Sequence, residues 1–189
     1  KWDTIIFSLA LLTTILFQVL SNLANDLGDT IKGTDNEHRV GPERAVQSGV
    51  ISQQEMKKAV AINSILCVLS SSTLIYFGAR NMTIEMTLFY SILALLCILA
   101  AITYTIGKKA YGYHGMGDIM VFIFFGAVSV LGVFSLYSKF FDYENILPAI
   151  SIGLLSVAVL NLNNMRDYVN DKNLGKNTIA VKIGPNQAK

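Results

Sequence analysis

The sequence predicts an all-α fold, a polytopic transmembrane helical bundle with five spans. Of the 189 residues, 52% are hydrophobic and only 15% are charged, whereas charged residues make up about a quarter of a soluble domain. The apolar residues are also gathered into five long runs that are separated by short polar segments. We therefore expect most of the chain to lie in a lipid bilayer rather than in water.

Each of the five runs approaches the ~20 residues that a helix needs to cross the hydrocarbon core of a membrane. A buried helix of a soluble protein could explain any one of them, but five in succession favour membrane spans. The predicted spans are residues 4–21, 59–79, 86–106, 119–137 and 146–162.

The basic residues are divided unevenly between the two ends of these spans. Twelve of the 15 lysine and arginine residues follow the first, third or fifth span, which places them on one side of the membrane. The other side carries Lys1, Arg80 and Lys139. Because lysine and arginine are enriched in cytoplasmic loops, we expect the basic end to face the cytoplasm.

Charge and motif content argue against several other classes of protein. The net charge is only +2 and there is no basic tract, so nucleic acid is not an expected partner. Cys67 and Cys97 lie far apart inside apolar runs, which is typical of buried free thiols. No glycine-rich phosphate-binding loop is present, so a nucleotide is not indicated.

An N-x-x-x-D pattern occurs where the first span ends and again where the fifth ends. At ~100° per residue, the amide and two carboxylates of each pattern fall within a sector of roughly 60–80° on a helix. We therefore expect each helix to direct two carboxylates to one side. The first acidic motif comprises Asn22, Asn25, Asp26 and Asp29, and the second comprises Asn163, Asn164, Asp167 and Asp171.

Carboxylates at the edge of a membrane could be ordinary solvated helix ends, but two matching motifs favour a site. A carboxylate inside the bilayer costs about 2.5–3.5 kcal/mol on insertion scales, and such residues usually have a function. Crowded carboxylates require a cation, and Mg²⁺ suits oxygen ligands that it shares with substrate phosphates. Guanidinium and ammonium groups bind phosphate oxygens. The candidates for this role are Arg39, Arg44, Lys172 and Lys176.

The polar segment 33–54 connects the first two spans and is not of low complexity. Ser52 and Glu55 have the spacing of a capping box that opens the next helix. The segment could fold over the site as a lid that excludes water, or it could be a plain surface loop.

Three stretches of the chain resemble the 1,4-dihydroxy-2-naphthoate polyprenyltransferases, a branch of the intramembrane prenyltransferase superfamily. Residues 22–53 begin with NLANDLGD, residues 160–184 contain NNMRDYVND, and residues 100–132 resemble the central segment of that branch. The resemblance implies about nine transmembrane helices, with acidic motifs on the second and the sixth. The five spans here would be helices two to six, and residues 1–189 a fragment of one integral-membrane domain.

The same resemblance implies how that domain is organised. Residues 25–57 would form a cytoplasmic loop or lid that carries the first acidic motif, and residues 163–184 would carry the second motif and a basic tail. Asp35 is a weak metal candidate because Gly33 interrupts its helical register with Asp26. Asp118 would lie near the aromatic substrate, although a helix N-terminal acid favoured by the dipole is an equal alternative.

The resemblance also implies roles for the other motif residues. The carboxylates would bind Mg²⁺, the asparagines would support them, and the basic residues would clamp a diphosphate. The implied metal ligands are Asp26, Asp29, Asp167 and Asp171. The implied supporting residues are Asn22, Asn25, Asn163 and Asn164, and the implied clamp is Arg39, Arg44, Lys172 and Lys176.

The implied activity is Mg²⁺-dependent prenyl transfer at the cytoplasmic face of the cell inner membrane. A polyprenyl diphosphate would donate its chain to 1,4-dihydroxy-2-naphthoate with loss of CO₂ and diphosphate, giving demethylmenaquinone. The alternatives are another branch of the superfamily, which prenylates 4-hydroxybenzoate or haem, and a membrane transporter. A transporter would favour carboxylates at the bilayer midplane, whereas these lie at span ends.

Overall fold

The computed structural model describes residues 3–37 and 39–189, so Lys1 of the sparsely charged end and His38 of the loop lie outside it. The described residues form helices and no strand, and five helical segments are long and apolar enough to cross a membrane. This confirms the predicted fold class. The five are α1 (Thr4–Lys32), α2 (Gln53–Gly78), α3 (Ile84–Thr103), a compound helix (Gly117–Ser138) and α6 (Ile146–Arg166).

The compound helix changes its winding in the middle. It consists of α4 (Gly117–Val121), a π-helical segment (Phe122–Leu131) and α5 (Gly132–Ser138). The sequence predicts a regular span here, because hydrophobicity carries no information about an i→i+5 hydrogen-bond pattern. π-helical turns are rare and occur frequently at functional sites.

The π-helical segment packs closely against α6 at a pair of glycines. A Cβ at Gly126 would lie 2.7 Å from the carbonyl oxygen of Ala149, and a Cβ at Gly153 would lie 2.8 Å from the Phe122 ring. Two helices can approach this closely because small residues let their backbones meet. The glycines therefore fix the position of the fourth span relative to the fifth.

α1, α2 and α3 pack around a buried apolar core. Leu20, Met56 and Cys67 are fully buried between them. The Asn63 amide donates to the Leu16 carbonyl at 2.8 Å, which joins α2 to α1 inside the bilayer region. Many other large apolar side chains are exposed on the outer surface of the bundle, as expected where lipid replaces water.

The helix ends follow from local sequence signals. Ser52 and Glu55 form the predicted capping box at the start of α2. Asp3 caps α1 by accepting bonds from the amides of Ile5 and Ile6. Gly33 ends α1 in the left-handed conformation, with φ = 74°, which glycine adopts without strain.

Two predicted spans end later in the structure than in the sequence analysis. α1 continues through the first acidic motif to Lys32, and α6 continues to Arg166. Apolar runs end where polar side chains begin, but the backbone hydrogen bonds of a helix continue through polar residues. The first motif therefore lies entirely on α1, whereas only the asparagines of the second motif lie on α6.

The chain after α6 forms two short helices, α7 (Tyr168–Asn173) and α8 (Ile179–Ile183). A 3₁₀ turn (Tyr111–His114) precedes α4. Hydrogen bonds join the segments that follow α3 and α6 to α1 and to the loop after it. Thr105 Oγ1 donates to the Ala24 carbonyl at 2.9 Å, and the Asn170 amide donates to the Thr34 carbonyl at 2.8 Å. The segments after the first, third and fifth spans thus meet at one end of the bundle, as the alternation of the five spans predicted.

Candidate functional site

Four carboxylates and four basic side chains alternate across this end of the bundle. We call this set the ionic cluster. In order of contact it consists of Asp171, Lys176, Asp29, Arg44, Asp35, Arg39, Asp167 and Arg166.

One half of the ionic cluster joins α1 to α7. Lys176 Nζ lies 3.6 Å from Asp29 Oδ2 and 4.0 Å from Asp171 Oδ1, so it bridges the two acidic motifs. The Asp29 and Asp171 side chains are each only 4% exposed. Ionised groups this buried need partners, which the bridging lysine supplies to both motifs.

The other half joins the loop after α1 to the end of α6. Asp35 lies between Arg39 Nε at 3.1 Å and Arg44 Nε at 3.3 Å. Arg39 also lies 3.9 Å from Asp167 Oδ2, and Arg166 forms a two-bond pair with the same carboxylate at 2.7 and 2.9 Å. The loop is therefore folded over the acidic motifs by ion pairs.

Asp35 is a member that sequence reasoning underrated. The expectation that Gly33 takes it out of the α1 register is met, because α1 ends there. However, the turn after Gly33 returns Asp35 to the cluster: its amide and that of Thr34 bond to the Asp29 carbonyl at 3.4 and 2.9 Å. A helical register predicts only residues that stay on the helix, so this return was not visible in the spacing.

Tyr113 was missed by the sequence analysis and lies at the centre of the site. Its hydroxyl donates to Asp29 Oδ1 at 2.7 Å and lies 2.6 Å from Thr34 Oγ1. Its ring lies 4.2 Å from Lys32 Nζ and 5.2 Å from Lys176 Nζ, within the range of cation–π attraction. The available signal was a tyrosine-rich segment, 104–113, between spans at the motif end.

The carboxylate of Asp26 faces the loop rather than the basic side chains. Its two oxygens accept bonds from the backbone amides of Ala45 and Val46 at 3.2 and 3.4 Å. These residues pack with Ile51 against the buried cluster around Leu20. In this arrangement Asp26 anchors the far part of the loop. Its predicted role as a metal ligand stays a prediction.

The second acidic motif does not lie on one straight helix, contrary to the sequence prediction. α6 ends at Arg166, Asp167 has φ = −91° and ψ = 7°, and α7 begins at Tyr168. The i→i−4 bonds from Asp167 to Asn163 and from Asp171 to Asp167 survive at 3.0 and 2.9 Å. The motif is thus bent at Asp167, which lets Asp171 turn inward toward Lys176.

Burial and neighbouring charge act on the carboxylates outside the spans. Burial raises the pKa of Asp35 to about 6 although Arg44 opposes the shift, and the charge of Asp29 adds to it. Burial also raises the pKa of Asp171 to about 6 against the effect of Lys176. Burial is also the largest single influence on Asp167, but the hydrogen bonds from Arg166 and the charges of Arg166, Arg39 and Lys176 together outweigh it and hold that pKa below its usual value. The basic groups thus outweigh the effect of burial at Asp167 but not at Asp35 or Asp171.

A large cavity opens beside the ionic cluster. Its volume is about 560 Å³, and it is bounded by α1, α2, α3, the compound helix and α6. We call it the main cavity. Its polar end is formed by Gln18, Asn22, Asn25 and Asn163, together with Tyr104 and Tyr111. The rest of its wall is mostly apolar and extends along α1 to Ala10.

The remaining predicted residues are distributed around this arrangement. Asn164 is buried beside Asn163, at the end of α6. Asp118 is half-buried in the first turn of α4 and is not among the described residues that line the main cavity. Lys172 is exposed, with its Nζ 5.8 Å from the centre of the Tyr168 ring. The structure thus brings three of the four predicted basic residues into the ionic cluster and leaves Lys172 at its edge.

The donor set of the ionic cluster suits a hard divalent cation. Carboxylate oxygens are the preferred ligands of such ions, and Asp35 Oδ2 is a buried oxygen that accepts no hydrogen bond within 3–37 and 39–189. In the same residues, no three acidic, histidine or cysteine side chains are close enough to hold one ion. Basic side chains lie between the carboxylates instead. Two carboxylates can therefore share a metal ion only if the basic side chain between them moves away.

Three similar proteins of known sequence carry the same name. The chain is 48% identical to the 1,4-dihydroxy-2-naphthoate octaprenyltransferase of Escherichia coli (strain K12), over 97% of this chain and 59% of the relative. It is 49% identical to the protein of the same name from Haemophilus influenzae, with the same two coverages. The Mycobacterium tuberculosis protein of that name is 36% identical over 93% of this chain and 57% of the relative.

These relatives are longer than the chain described here, which spans about three fifths of their length. No solved structure matches the chain at a significant level. The family model that describes UbiA prenyltransferases matches residues 1–189. The chain therefore belongs to the UbiA prenyltransferase family.

Proposed function

We propose that the protein transfers a polyprenyl group from a polyprenyl diphosphate to 1,4-dihydroxy-2-naphthoate, as the names of its relatives suggest. The observation that carries this proposal is the position of the ionic cluster beside the polar end of an apolar cavity. A polyprenyl diphosphate has the same division, with a charged head and a long hydrocarbon tail. Each part of the donor thus has a matching part of the site.

The basic residues of the ionic cluster supply the diphosphate clamp. Arg39, Arg44 and Lys176 each pair with two carboxylates at 3.1–4.0 Å. Phosphate oxygens are alternative partners for the same donors, and a guanidinium group can bind them in a bidentate manner. When the donor enters, these side chains exchange carboxylate partners for phosphate partners. Lys172 stays a further candidate at the edge.

The carboxylates released by that exchange are the candidate ligands for Mg²⁺. Enzymes of this family generally depend on a metal ion, and Mg²⁺ is suited to a few carboxylates plus substrate phosphates. The candidates are Asp29, Asp167 and Asp171, with Asp26 and Asp35 next to them. When bound, the ion supplies positive charge that stabilises the departing diphosphate.

The apolar wall of the main cavity protects the reaction. The bond between C1 of the prenyl chain and the diphosphate oxygen breaks, and an allylic cation forms in a site that contains little water. The aromatic residues Phe17, Tyr104 and Tyr111 line this space, and aromatic rings attract a cation. The asparagines at the polar end are placed to hydrogen-bond the substrates.

The acceptor then forms the new carbon–carbon bond. The naphthoate carbon that bears the carboxyl group attacks C1, and CO₂ leaves from that carbon. The direct product is the quinol, and an external oxidant such as molecular oxygen takes two electrons and two protons from it to give demethylmenaquinone. Asp118, at the start of α4, stays a candidate for contact with the aromatic substrate.

The test is prenyl transfer in membranes that contain the protein at its full natural length. The membranes are incubated with 1,4-dihydroxy-2-naphthoate, octaprenyl diphosphate and Mg²⁺, and the quinones are analysed. We expect a prenylated naphthoquinone that disappears when EDTA removes the metal. Product from 4-hydroxybenzoate in place of the naphthoate would instead assign the chain to another branch of the family.

The orientation of the site is the second part of the proposal. The ionic cluster and most lysine and arginine residues lie at one end of the bundle, which favours the cytoplasmic side of the cell inner membrane. Single cysteines at positions 44 and 172 should react with a membrane-impermeant reagent only after the membrane is opened. Strong labelling of intact cells at either position would reverse the topology.

A further inference from the structure

A second cavity of about 500 Å³ lies at the opposite end of the bundle from the ionic cluster. It is bounded by the start of α3 and by the end of the compound helix, with Asn81, Met86 and Phe140 among its lining residues. Its wall is mainly apolar. The catalytic arrangement described above makes no use of it.

The two cavities are adjacent. They share four wall residues, which we call the junction: Tyr90, Leu93, Val128 and Gly132. Tyr90 is held across the junction because its hydroxyl bonds to Ser135 Oγ on α5. A fixed aromatic ring therefore forms part of the wall that the two cavities share.

Gly132 is the junction residue that contributes no side chain to either cavity. A Cβ added at Gly132 would have no atom within 4 Å, unlike one at Gly126, which would collide with the α6 backbone. Its backbone is ordinary right-handed helix, with φ = −63° and ψ = −49°. Neither close packing nor an unusual φ thus requires glycine at this position, and the space that its missing side chain leaves belongs to both cavities.

The length of the main cavity explains why a passage would be needed. From Asn25 to Ala10 it follows 15 residues of α1, which is about 22 Å at 1.5 Å per residue. An isoprene unit extends by roughly 4–5 Å, since its four-bond repeat is somewhat longer than the ~3.5 Å repeat of a peptide. The main cavity therefore holds roughly five units, whereas an octaprenyl chain has eight.

We propose that the tail of a long polyprenyl donor passes the junction at Gly132 and lies in the second cavity, so that residue 132 determines which chain lengths are accepted. This inference rests on the proposed function and adds to it a subsite for the distal isoprene units. Short donors end inside the main cavity and do not reach residue 132. Long donors do, and a side chain there obstructs them.

The experiment compares Gly132→Ala, Gly132→Leu and Gly132→Phe with the unmodified protein at full natural length. Each is assayed with geranyl diphosphate, which has two isoprene units, and with octaprenyl diphosphate. We expect kcat/KM for the octaprenyl donor to fall progressively with side-chain size, by ~10–100-fold for phenylalanine, the scale of a steric mismatch in an apolar pocket. The kcat/KM for the geranyl donor should stay within about 3-fold of that of the unmodified protein.

The control variant is Leu95→Phe, which adds an aromatic ring to α3 at a residue that is 54% exposed and lines neither cavity. This variant should leave kcat/KM unchanged for both donors. Two results would overturn the tail path: an equal fall in kcat/KM with both donors in Gly132→Phe, or an unchanged kcat/KM with the octaprenyl donor. Either result would indicate that the tails of long donors extend from the main cavity into the lipid. Transfer of neither donor by the unmodified protein would instead reject the proposed function, and the tail path with it.

Equilibrium binding of the two donors without acceptor gives a second readout. Gly132→Phe should weaken binding of the octaprenyl diphosphate and leave that of geranyl diphosphate unchanged, even if chemistry is slow. Equal affinities of this variant and the unmodified protein for the octaprenyl donor would contradict the inference.

Discussion

The first acidic motif lies on an unbroken helix, whereas the second crosses a helix end. α1 carries Asp26 and Asp29 through to its last turn, while α6 stops before Asp167 and α7 carries Asp171. On the straight helix the two carboxylates face different partners, one the loop amides and the other the basic groups. On the bent one, both carboxylates reach the ionic cluster. The same spacing thus produces two different sets of contacts.

The two acidic motifs also share basic partners across the site. Asp29 and Asp171 share Lys176, and Asp35 shares Arg39 with Asp167. The pairs across the site are therefore set by bridging basic residues rather than by equivalent positions in the two motifs. The following predictions test this pairing.

The largest effect is expected from the carboxylates that share Lys176. Asp29→Asn and Asp171→Asn should each lower kcat by at least ~100-fold, the scale of losing one electrostatic stabiliser. The double variant should lose far less than the product of the two, because residues that act as a unit are non-additive. Rates are measured across a Mg²⁺ titration, with membrane expression checked.

Asp142→Asn is the matched control, since Asp142 caps a short turn at the opposite end of the bundle. It should leave the rate and the Mg²⁺ requirement unchanged. If Asp29→Asn and Asp171→Asn retain near-normal rates at limiting Mg²⁺, the pairing across Lys176 is wrong.

The next largest effect is a loss of folding stability when a side chain is added at Gly28, which lies within the first motif. A Cβ at Gly28 would lie 2.6 Å from Thr105 Cβ and 2.8 Å from the Thr105 backbone carbon. Gly28→Ala should therefore cost about 1–3 kcal/mol, as forced overpacking does. Thermal unfolding in detergent measures the loss. Gly132→Ala is the control: it adds the same methyl group to a helix with no neighbour within 4 Å, so a similar loss there would refute the packing explanation.

A smaller effect is expected at Tyr113, which contacts the first motif but not the second in the described structure. Tyr113→Phe keeps the ring beside Lys32 and Lys176 and removes the hydrogen bond to Asp29. A bond to a charged group contributes about 1.5–3 kcal/mol, so we expect roughly a 10-fold lower kcat/KM and a higher Mg²⁺ requirement.

The corresponding control is Tyr143→Phe, at an exposed tyrosine near the other end. An unchanged Mg²⁺ requirement in Tyr113→Phe, with activity lost through poor expression alone, would reduce Tyr113 to a packing role.

The smallest expected effect is a difference between two variants of Asp26, which distinguishes the role of its charge from its role in anchoring the loop. Asp26→Asn keeps an oxygen that can accept from the Ala45 or Val46 amide, whereas Asp26→Ala keeps none. If anchoring the loop is the main role, Asp26→Asn should be a few-fold more active than Asp26→Ala and its loop less sensitive to protease, because a lost hydrogen bond of this kind costs about 1 kcal/mol. Equal rates and equal cleavage would favour the charge, and so metal binding, as its main role.

The sequence predicted the fold class, the five spans and both acidic motifs. Apolar runs of span length and carboxylates next to them are local properties, because a bilayer imposes both the length and the rarity of charge. Among the predicted basic residues, Arg39, Arg44 and Lys176 lie in the ionic cluster, and their role as a diphosphate clamp stays a prediction. Tyr113 was missed because an aromatic residue in a short loop has no signature until its partners are known.

The amino-acid sequence by itself determined that the chain has five spans long and apolar enough to cross a membrane, and that most of its basic residues and both carboxylate motifs follow the first, third and fifth spans. Only the tertiary structure decided which of these charges meet. Gly33 returns Asp35 to the cluster, the bend at Asp167 turns Asp171 toward Lys176, and Asp26 faces the loop amides. The physical reason is that ion pairs between distant segments depend on loop closure and helix ends, which no helical period encodes.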